Sequence, residues 1–376
     1  MQKQNSQFKN NNLPKGWRKV KLGEWIELKY GFGLPEEKRI KGDIPVYGSS
    51  GIVGYHKKPA VNTQGIIIGR KGNVGAVYFS SGPFYPIDTV YFIDSLKKDG
   101  DLKFFYYLLK TIDFKKVDIN VGVPGLNRDT AHSLDILIPE DLNEQKRIAD
   151  ILSSFDDKIE LNNKIIKTLE EMAQEIFKEW FVKFRFPGWQ KVKFVDSELG
   201  KIPEGWEVRK FEEIMEFLSG KNPDSTTFDS SGKYYIYGSN TIMGKSDKFL
   251  YNGPIVILAR IGSNCGALRL SIAPCWISNN TAGIKGKNGI STFFIYLLLK
   301  NFDFNQIKEG TGQPYINIKA LKSYTTALPS RNILKNFEEV IFNFYFKIQQ
   351  KVEENQTLAE LRDLLLPKLM SGEIRV

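Results

Sequence analysis

Few residues of this chain have the types and spacing that catalysis demands, and each candidate pattern stops short. Gly244-Lys245-Ser246 ends like a loop that cradles phosphate with backbone amides, but the required first glycine falls on Ser239. Gly238 is one residue too far, and no obvious helix follows. Methyl transfer to a flipped-out adenine would need a short Asn/Asp-Pro-Pro-aromatic motif to hold the base. Asn222-Pro223-Asp224-Ser225 lacks the second proline and the aromatic. A metal-dependent nuclease would need an aspartate upstream of Glu-x-Lys, and Glu36-Glu37-Lys38 precedes Asp43, the first aspartate of the chain. Gly31-Phe32-Gly33 is a lone G-x-G, weak evidence for a nucleotide site. The two histidines, His56 and His132, and the two cysteines, Cys265 and Cys275, are too few for a zinc cluster or a disulfide scaffold. They leave no obvious nucleophile–base pair either. Each cysteine reads as a small buried apolar residue in a reducing cytoplasm. No catalytic residue, metal or cofactor is expected in this chain, and an enzyme acting by itself is the weaker class.

Charge points to binding instead. Lys and Arg number 53 against 43 Asp and Glu, a net charge of +10 over 376 residues. A basic balance suits a polyanion, because each neutralised phosphate releases a counterion; charge alone also fits a basic protein with no nucleic-acid partner. Arg70 and Arg260 each follow an apolar run and precede a Gly-rich turn. Two readings stand for both: a bidentate contact to phosphate or guanine, or a structural arginine that caps strand-end carbonyls. Tyr47 with Ser49, and Tyr237 with Ser239, either donate to phosphates or form a tight turn around a packed aromatic. Asn127 and Asn317 follow a Gly-x-Pro turn, suited to reading adenine N6/N7 or to bonding their own backbone. Lys71, Arg128 and Lys319 are neighbouring cations and candidates with them. The better candidates for base reading are basic, amide-rich loops: Lys38, Arg39 and Lys41 early in the chain, and Lys221, Asn222, Lys245 and Lys248 late in it.

These positions are held by a duplication with a period of about 190 residues, right for two domains. Leu13-Pro14-Lys15-Gly16-Trp17 returns as Ile202-Pro203-Glu204-Gly205-Trp206, where both tryptophans read as core. Tyr47-Gly48-Ser49 returns as Tyr237-Gly238-Ser239, and Arg70-Lys71-Gly72 as Arg260-Ile261-Gly262. Gly122-Val123-Pro124 then Asn127 returns as Gly312-Gln313-Pro314 then Asn317. Each copy opens with about 140 residues rich in Gly, β-branched and aromatic types, whose apolar runs, such as 65–68 and 255–258, read as buried strands. Short helices are expected at 102–110 and 292–300.

Each copy closes with a long helix. Asp141 and Glu144 read as a capping box after Pro139. From there Ile148, Leu152, Phe155, Ile159 and Asn162 step by fours and threes, followed by Ile166, Leu169, Ala173, Ile176 and Trp180. That is a heptad seam with one polar member. The second copy runs through Phe337, Ile341, Phe344 and Ile348, then Leu358, Leu361 and Leu365, with Lys351 and Asn355 inside its seam. Its Ile333-Leu334 replaces Glu144-Gln145, which predicts a frayed or shifted start. The simplest inference is that the two helices pack on each other; packing on their own globular domains is the alternative. Pro187-Gly188-Trp189 breaks the first helix. The expected organisation is a first globular domain at 1–141, with a polar tail at 1–12, and a helix at 142–186. A second domain at 187–330 and a helix at 331–376 complete it. The tail has no apolar signal core and no apolar run reaches the ~18 residues of a membrane span, so a soluble cytoplasmic protein is expected.

The chain resembles the specificity subunit of Type I restriction-modification systems. The most specific stretches are Asp196-Ser197-Glu198-Leu199-Gly200-Lys201-Ile202-Pro203-Glu204-Gly205-Trp206 and Leu365-Leu366-Pro367-Lys368-Leu369-Met370-Ser371-Gly372-Glu373-Ile374. Leu137-Ile138-Pro139 followed by Glu144-Gln145 belongs with them. The resemblance implies an α+β fold: two similar target-recognition domains of mixed β-sheet and short helices, held apart by two long antiparallel coiled-coil helices in a pseudo-twofold repeat. It implies double-stranded DNA as ligand, each domain reading half of a split site. It also implies two methyltransferase subunits and restriction (translocase) subunits as partners, which would hold S-adenosylmethionine, ATP and Mg²⁺. The seam from Ile148 to Trp180 spans roughly 48 Å at ~1.5 Å per residue, so helix length would set the gap between half-sites. The alternative from another class is a non-catalytic two-headed coiled-coil scaffold or adaptor without DNA specificity.

Overall fold

A run such as Gly65-Ile66-Ile67-Ile68-Gly69 is apolar on both faces and is stable as a strand only with cover on both sides. In the structure, a computed structural model that describes residues 13–117, 125–239 and 241–376, this run is a fully buried strand near the middle of a sheet. The polar tail 1–12 and the landmark Gly122-Val123-Pro124 lie outside the described residues. The chain divides into two compact units, Met1–Glu160 with Asn355–Val376, and Leu161–Glu354.

In the first unit, β1 (Trp17–Lys21) pairs antiparallel with the late strand Asp135–Pro139. Between them run β2 (Lys29–Tyr30), β3 (Ile44–Gly48), β4 (Gly51–His56), β5 (Gly65–Gly69), β6 (Val77–Ser80), β7 (Tyr85–Pro86) and β8 (Val90–Ile93). They form two sheets, in the orders β2-β8-β5-β6 and β4-β3-β7. Helix α1 (Leu102–Lys110) covers the first sheet with Phe104, Phe105, Leu108 and Leu109, and Asp101 caps it by accepting from the Phe104 N–H at 2.7 Å. Short helices α2 (Phe114–Val117) and α3 (Arg128–His132) lead to β9 (Asp135–Pro139) and then to the long α4 (Leu142–Phe177).

The second unit repeats this plan. A hairpin of β10 (Phe194–Ser197) and β11 (Gly200–Pro203) leads to β12 (Glu207–Lys210), α5 (Phe211–Ile214) and β13 (Met215–Ser219). Then come β14 (Tyr234–Tyr237), β15 (Ile242–Ser246), β16 (Ile255–Ala259), β17 (Leu268–Ser271), β18 (Trp276–Ile277) and β19 (Thr281–Gly286). The sheet orders are β13-β19-β16-β17 and β15-β14-β18, matching the first unit strand for strand. Helix α6 (Thr292–Lys300), a hairpin of β20 (Lys308–Glu309) and β21 (Tyr315–Ile316), α7 (Ile318–Ser323) and β22 (Thr325–Leu328) lead to α8 (Arg331–Met370). β22 closes on β12 as β9 closes on β1. The two short helices sit where the sequence places them. The stretch around Ser197-Glu198-Leu199-Gly200 is the turn of the β10–β11 hairpin, with Gly200 at φ +87°.

The long helices pack on each other within each unit and run antiparallel. In the first unit Ile148 and Leu152 of α4 share a core with Leu366, Leu369 and Met370 of α8, and Arg362 bonds Asp156. In the second, Ala173 and Phe177 meet Phe337 and Ile341. Asn162 is fully buried, as a polar seam member would be. The seam departs from expectation in three places. Phe177 and Phe181 are buried ahead of Ile176 and Trp180, because the packing partners here are large rings, Phe294 and Phe337. Leu361 is 43% exposed, and Leu366, Leu369 and Met370 take the buried face. A π-helical turn, Lys178–Val182, ends the first helical run ahead of Pro187.

Two further expectations fail on side-chain chemistry. Asp141 does cap α4, accepting from the Asn143 N–H at 2.9 Å. Glu144 does not complete a capping box: it turns inward, where Trp17 Nε1 donates to it at 3.2 Å and Arg375 pairs with both its oxygens at 2.7 and 3.0 Å. The start of α8 is not frayed. Leu334 is buried in the core and its N–H bonds the Ser330 carbonyl at 3.1 Å. An apolar side chain anchors that first turn where an acid anchors the other. Among the described residues, no helix is long and apolar enough to cross a membrane.

Candidate nucleic-acid interface

The two repeated arginines occupy the same backbone niche. Arg70 follows β5 and Arg260 follows β16. The Arg70 N–H bonds the Thr89 carbonyl at 2.9 Å and its carbonyl accepts from Leu126; Arg260 does the same with Asn280 at 2.9 Å and Ile316. Beside each niche a glycine lets two chains touch: a Cβ on Gly31 would fall 2.0 Å from the Ile87 carbonyl oxygen, and one on Gly220 1.8 Å from that of Ser278. Gly31-Phe32-Gly33 is thus a packing element. Asn127 and Asn317 are helix N-caps. Asn127 accepts from the Asp129 and Thr130 N–H groups at 2.9 and 3.0 Å, and Asn317 from that of Ala320 at 3.0 Å.

Side chains set the niches apart. In the first unit Arg70 donates through Nε and Nη2 to the Asp88 carbonyl at 3.2 and 2.7 Å. Its guanidinium lies 5.3 Å from the Tyr30 ring centre and 5.8 Å from that of Tyr91, and Arg128 lies 5.5 Å from Tyr30. Tyr91 donates to the Leu126 carbonyl at 3.0 Å, and burial with the neighbouring Tyr30 hydroxyl pushes its phenol up to about 12. In the second unit the register places Ser219 and Ala282 where Tyr30 and Tyr91 stand, since Tyr30 pairs with Tyr91 and Ser219 with Ala282. A cleft of about 380 Å³ opens there, lined by Ser219, Arg260, Ala282, Tyr315, Asn317 and Lys322 among others.

The remaining candidates spread over the surface. Lys38 ends a 3₁₀ turn and is exposed, as are Lys41 and Lys71. Arg39 is engaged, with Nη1 donating to the Val53 carbonyl at 2.8 Å. Tyr47 is buried edge-on against Phe84, and the Ser49 carbonyl accepts weakly from Tyr78 at 3.4 Å, so this pair is a turn around a packed aromatic. Tyr237 packs likewise, and Ser239 Oγ reaches the Asn280 carbonyl at 3.3 Å. Lys221, Asn222, Lys248 and Lys319 are exposed. Lys245 lies on β15, its ammonium over the Tyr235 ring, so Gly244-Lys245-Ser246 is strand and not a phosphate loop. Both histidines are structural acceptors, His56 for the Ile40 N–H and His132 for that of Leu28. Both cysteines are free and buried. Tyr30, Tyr91, Ser219, Tyr315 and Lys322 are not among the candidates that sequence singles out. The available signal was the exchange of large for small residues beside matched glycines and strands.

Comparison with known proteins places this geometry. The Type I restriction modification DNA specificity domain matches the chain twice, over residues 14–171 and 203–362. The chain is 30% identical to the specificity subunit of the Type I restriction enzyme MjaIX of Methanocaldococcus jannaschii, over 83% of this chain and 78% of that protein. It is 26% identical to the MjaVIII specificity subunit of the same organism, over 97% and 94%. Among solved structures, the S subunit of a Type I restriction-modification system from M. genitalium shares the fold, with a TM-score of 0.65, 21% identity and coverage of 96% and 97%.

Proposed function

The chain belongs to the Type I restriction modification DNA specificity family, and on that premise we propose that it selects the target of a Type I restriction-modification complex. Each unit reads one half of a split site in double-stranded DNA. The chain supplies recognition and leaves catalysis to its partners. Those are two methyltransferase subunits, which hold S-adenosylmethionine, and restriction subunits, which use ATP and Mg²⁺. The setting is the cytoplasm.

One observation carries the reading: a single scaffold occurs twice with the same strand order, yet matched surface positions differ. Exposed Val53 and Tyr55 on β4 correspond to Met243 and Lys245 on β15. Two different base sequences require this, because base edges are read by side chains while the backbone contacts that position them can be shared.

The test is mapping of methylated adenines in cells expressing the chain with its methyltransferase partner. A two-part motif with a constant gap is expected. Replacing residues 187–330 by those of another family member should change one half only. Inserting four residues after Lys167 adds ~6 Å of helix and should lengthen the gap by about one or two base pairs. Methylation independent of this chain would refute the reading.

A further inference from the structure

We propose that the two matched arginines have parted in role: the cleft beside Arg260 receives a phosphate of the DNA backbone, while Arg70 is a fixed part of its scaffold. This rests on the DNA-recognition reading and names a contact within it.

The argument starts from what each guanidinium touches. Arg70 spends two donors on one carbonyl and lies against two tyrosine rings. A group so placed has little freedom to turn toward a ligand. Arg260 is held as firmly through its backbone, by Asn280 on one side and Ile316 on the other. Its side chain, however, makes no hydrogen bond or ion pair among the described residues, and it lines an open cleft. The cleft exists because Ser219 and Ala282 fill far less space than the Tyr30–Tyr91 pair at the same register. Lys322 lines it as well, its ammonium 5.2 Å from the Phe217 ring centre, where the matched residue of the first unit is His132.

The polar lining suits an anion. Two cations, Arg260 and Lys322, line it together with Ser219 and the exposed Tyr315. Glu309 is the opposing charge. Its carboxylate is already bonded by the Tyr315 hydroxyl and by Asn317 Nδ2 at 2.7 Å, and those bonds hold its pKa below the usual glutamate value. They turn these two side chains toward Glu309 and leave Arg260 and Lys322 as lining cations whose side chains make no hydrogen bond or ion pair among the described residues. Asn317 also caps α7, so its amide is used at both ends and cannot offer a bidentate face to adenine. What remains is a guanidinium just past the end of β16, lining a cleft of about 380 Å³. That arrangement fixes position and carries no sequence information.

The test compares duplex binding by the full chain and by Arg260→Ala, Arg260→Gln and Arg70→Ala, across a salt series. Loss of one phosphate contact should weaken binding by a similar factor on target and non-target duplexes and make the log–log salt slope shallower by about 1. Both Arg260 variants should do so at unchanged melting temperature, the glutamine keeping much of the side-chain stem in case the alanine variant folds poorly. Arg70→Ala should lower the melting temperature and leave the slope alone. A methylphosphonate scan of the target backbone should find one position whose neutralisation weakens the wild type and not Arg260→Gln. Wild-type binding with an unchanged slope in Arg260→Gln, or no such position, overturns this proposal. Absence of salt-dependent duplex binding by the wild type would overturn the recognition reading beneath it.

Discussion

Two units with the same strand order solve the same packing problems with different residues, and the differences fall in two kinds. At the arginine niche the first unit is filled by Tyr30 and Tyr91 and the second is hollow beside Ser219 and Ala282. At the helix start, Trp17 has its indole N–H accepted by Glu144, whereas Trp206, matched to it, shares a core with Ile333 and Leu334, which replace Glu144 and Gln145, and its buried indole nitrogen has no hydrogen-bond partner among the described residues. The first difference reshapes a surface and the second changes only how a core is satisfied. A duplicated scaffold therefore tolerates drift in both, but only the surface kind alters what the unit can bind.

The largest effect should come from exchanging the contents of the niche. Tyr91 is 2% exposed, and Tyr91→Ala should destabilise the first unit by about 3–5 kcal/mol, the usual range for emptying a buried aromatic site. Protection of β5 and β8 amides in hydrogen exchange should fall while that of β16 and β19 stays. The converse double variant, Ser219→Tyr with Ala282→Tyr, fills an existing opening and should leave melting near that of the wild type. If the cleft takes phosphate, that variant binds duplex DNA as weakly as Arg260→Gln. Wild-type affinity in the filled variant would show that the hollow is incidental.

The helix-start difference should be smaller. Glu144→Leu gives the first unit an apolar side chain in place of the acid, as the second unit has, and strands the Trp17 N–H, an orphaned buried donor that costs about 1–3 kcal/mol. It also removes both carboxylate contacts of Arg375 near the C-terminus. Glu144→Gln keeps an acceptor for Trp17 and should recover part of the loss in chemical denaturation. Equal destabilisation by both variants would mean that the ion pair with Arg375, not the indole bond, matters at this position.

Periodic and repeated features were legible from residues alone. The long helices, the two short helices at 102–110 and 292–300, the buried strands after which both arginines fall, and the duplication itself all follow from spacing. What spacing could not settle was side-chain engagement. Asn127 and Asn317 suit adenine as well as they suit a helix cap, and only the nearby N–H groups decide for the cap. Glu144 sits where a capping box needs it, and a tryptophan 127 residues away in sequence claims it. The Arg70 and Arg260 environments diverge because cross-strand neighbours differ, and those neighbours lie far off along the chain. Pairwise contacts of that kind become visible only once register is known.

The smallest expected effect is a titration confined to one unit. His132 Nε2 accepts from the Leu28 N–H at 3.1 Å, a bond that the neutral ring makes and the imidazolium cannot. Burial, then the charges of Lys97 and Arg128, hold its pKa below the ordinary histidine value of about 6.5, against a weaker pull from Asp129 and Glu27. With the folded value depressed, the native state binds fewer protons than the unfolded chain over this range. The stabilisation is therefore complete above about pH 6.5 and is lost as pH falls through the lower folded value. The ring is only partly buried, so the effect is slight. The second unit has Lys322, not a histidine, at the matched position. Hydrogen exchange between pH 7.5 and 5.5, corrected for intrinsic rates, should show Leu28 and α3 losing protection relative to β13 and α7. His132→Gln, which retains an acceptor and does not titrate, should abolish that divergence. A divergence that persists in His132→Gln would assign the pH response to some other group and leave His132 a packing residue only.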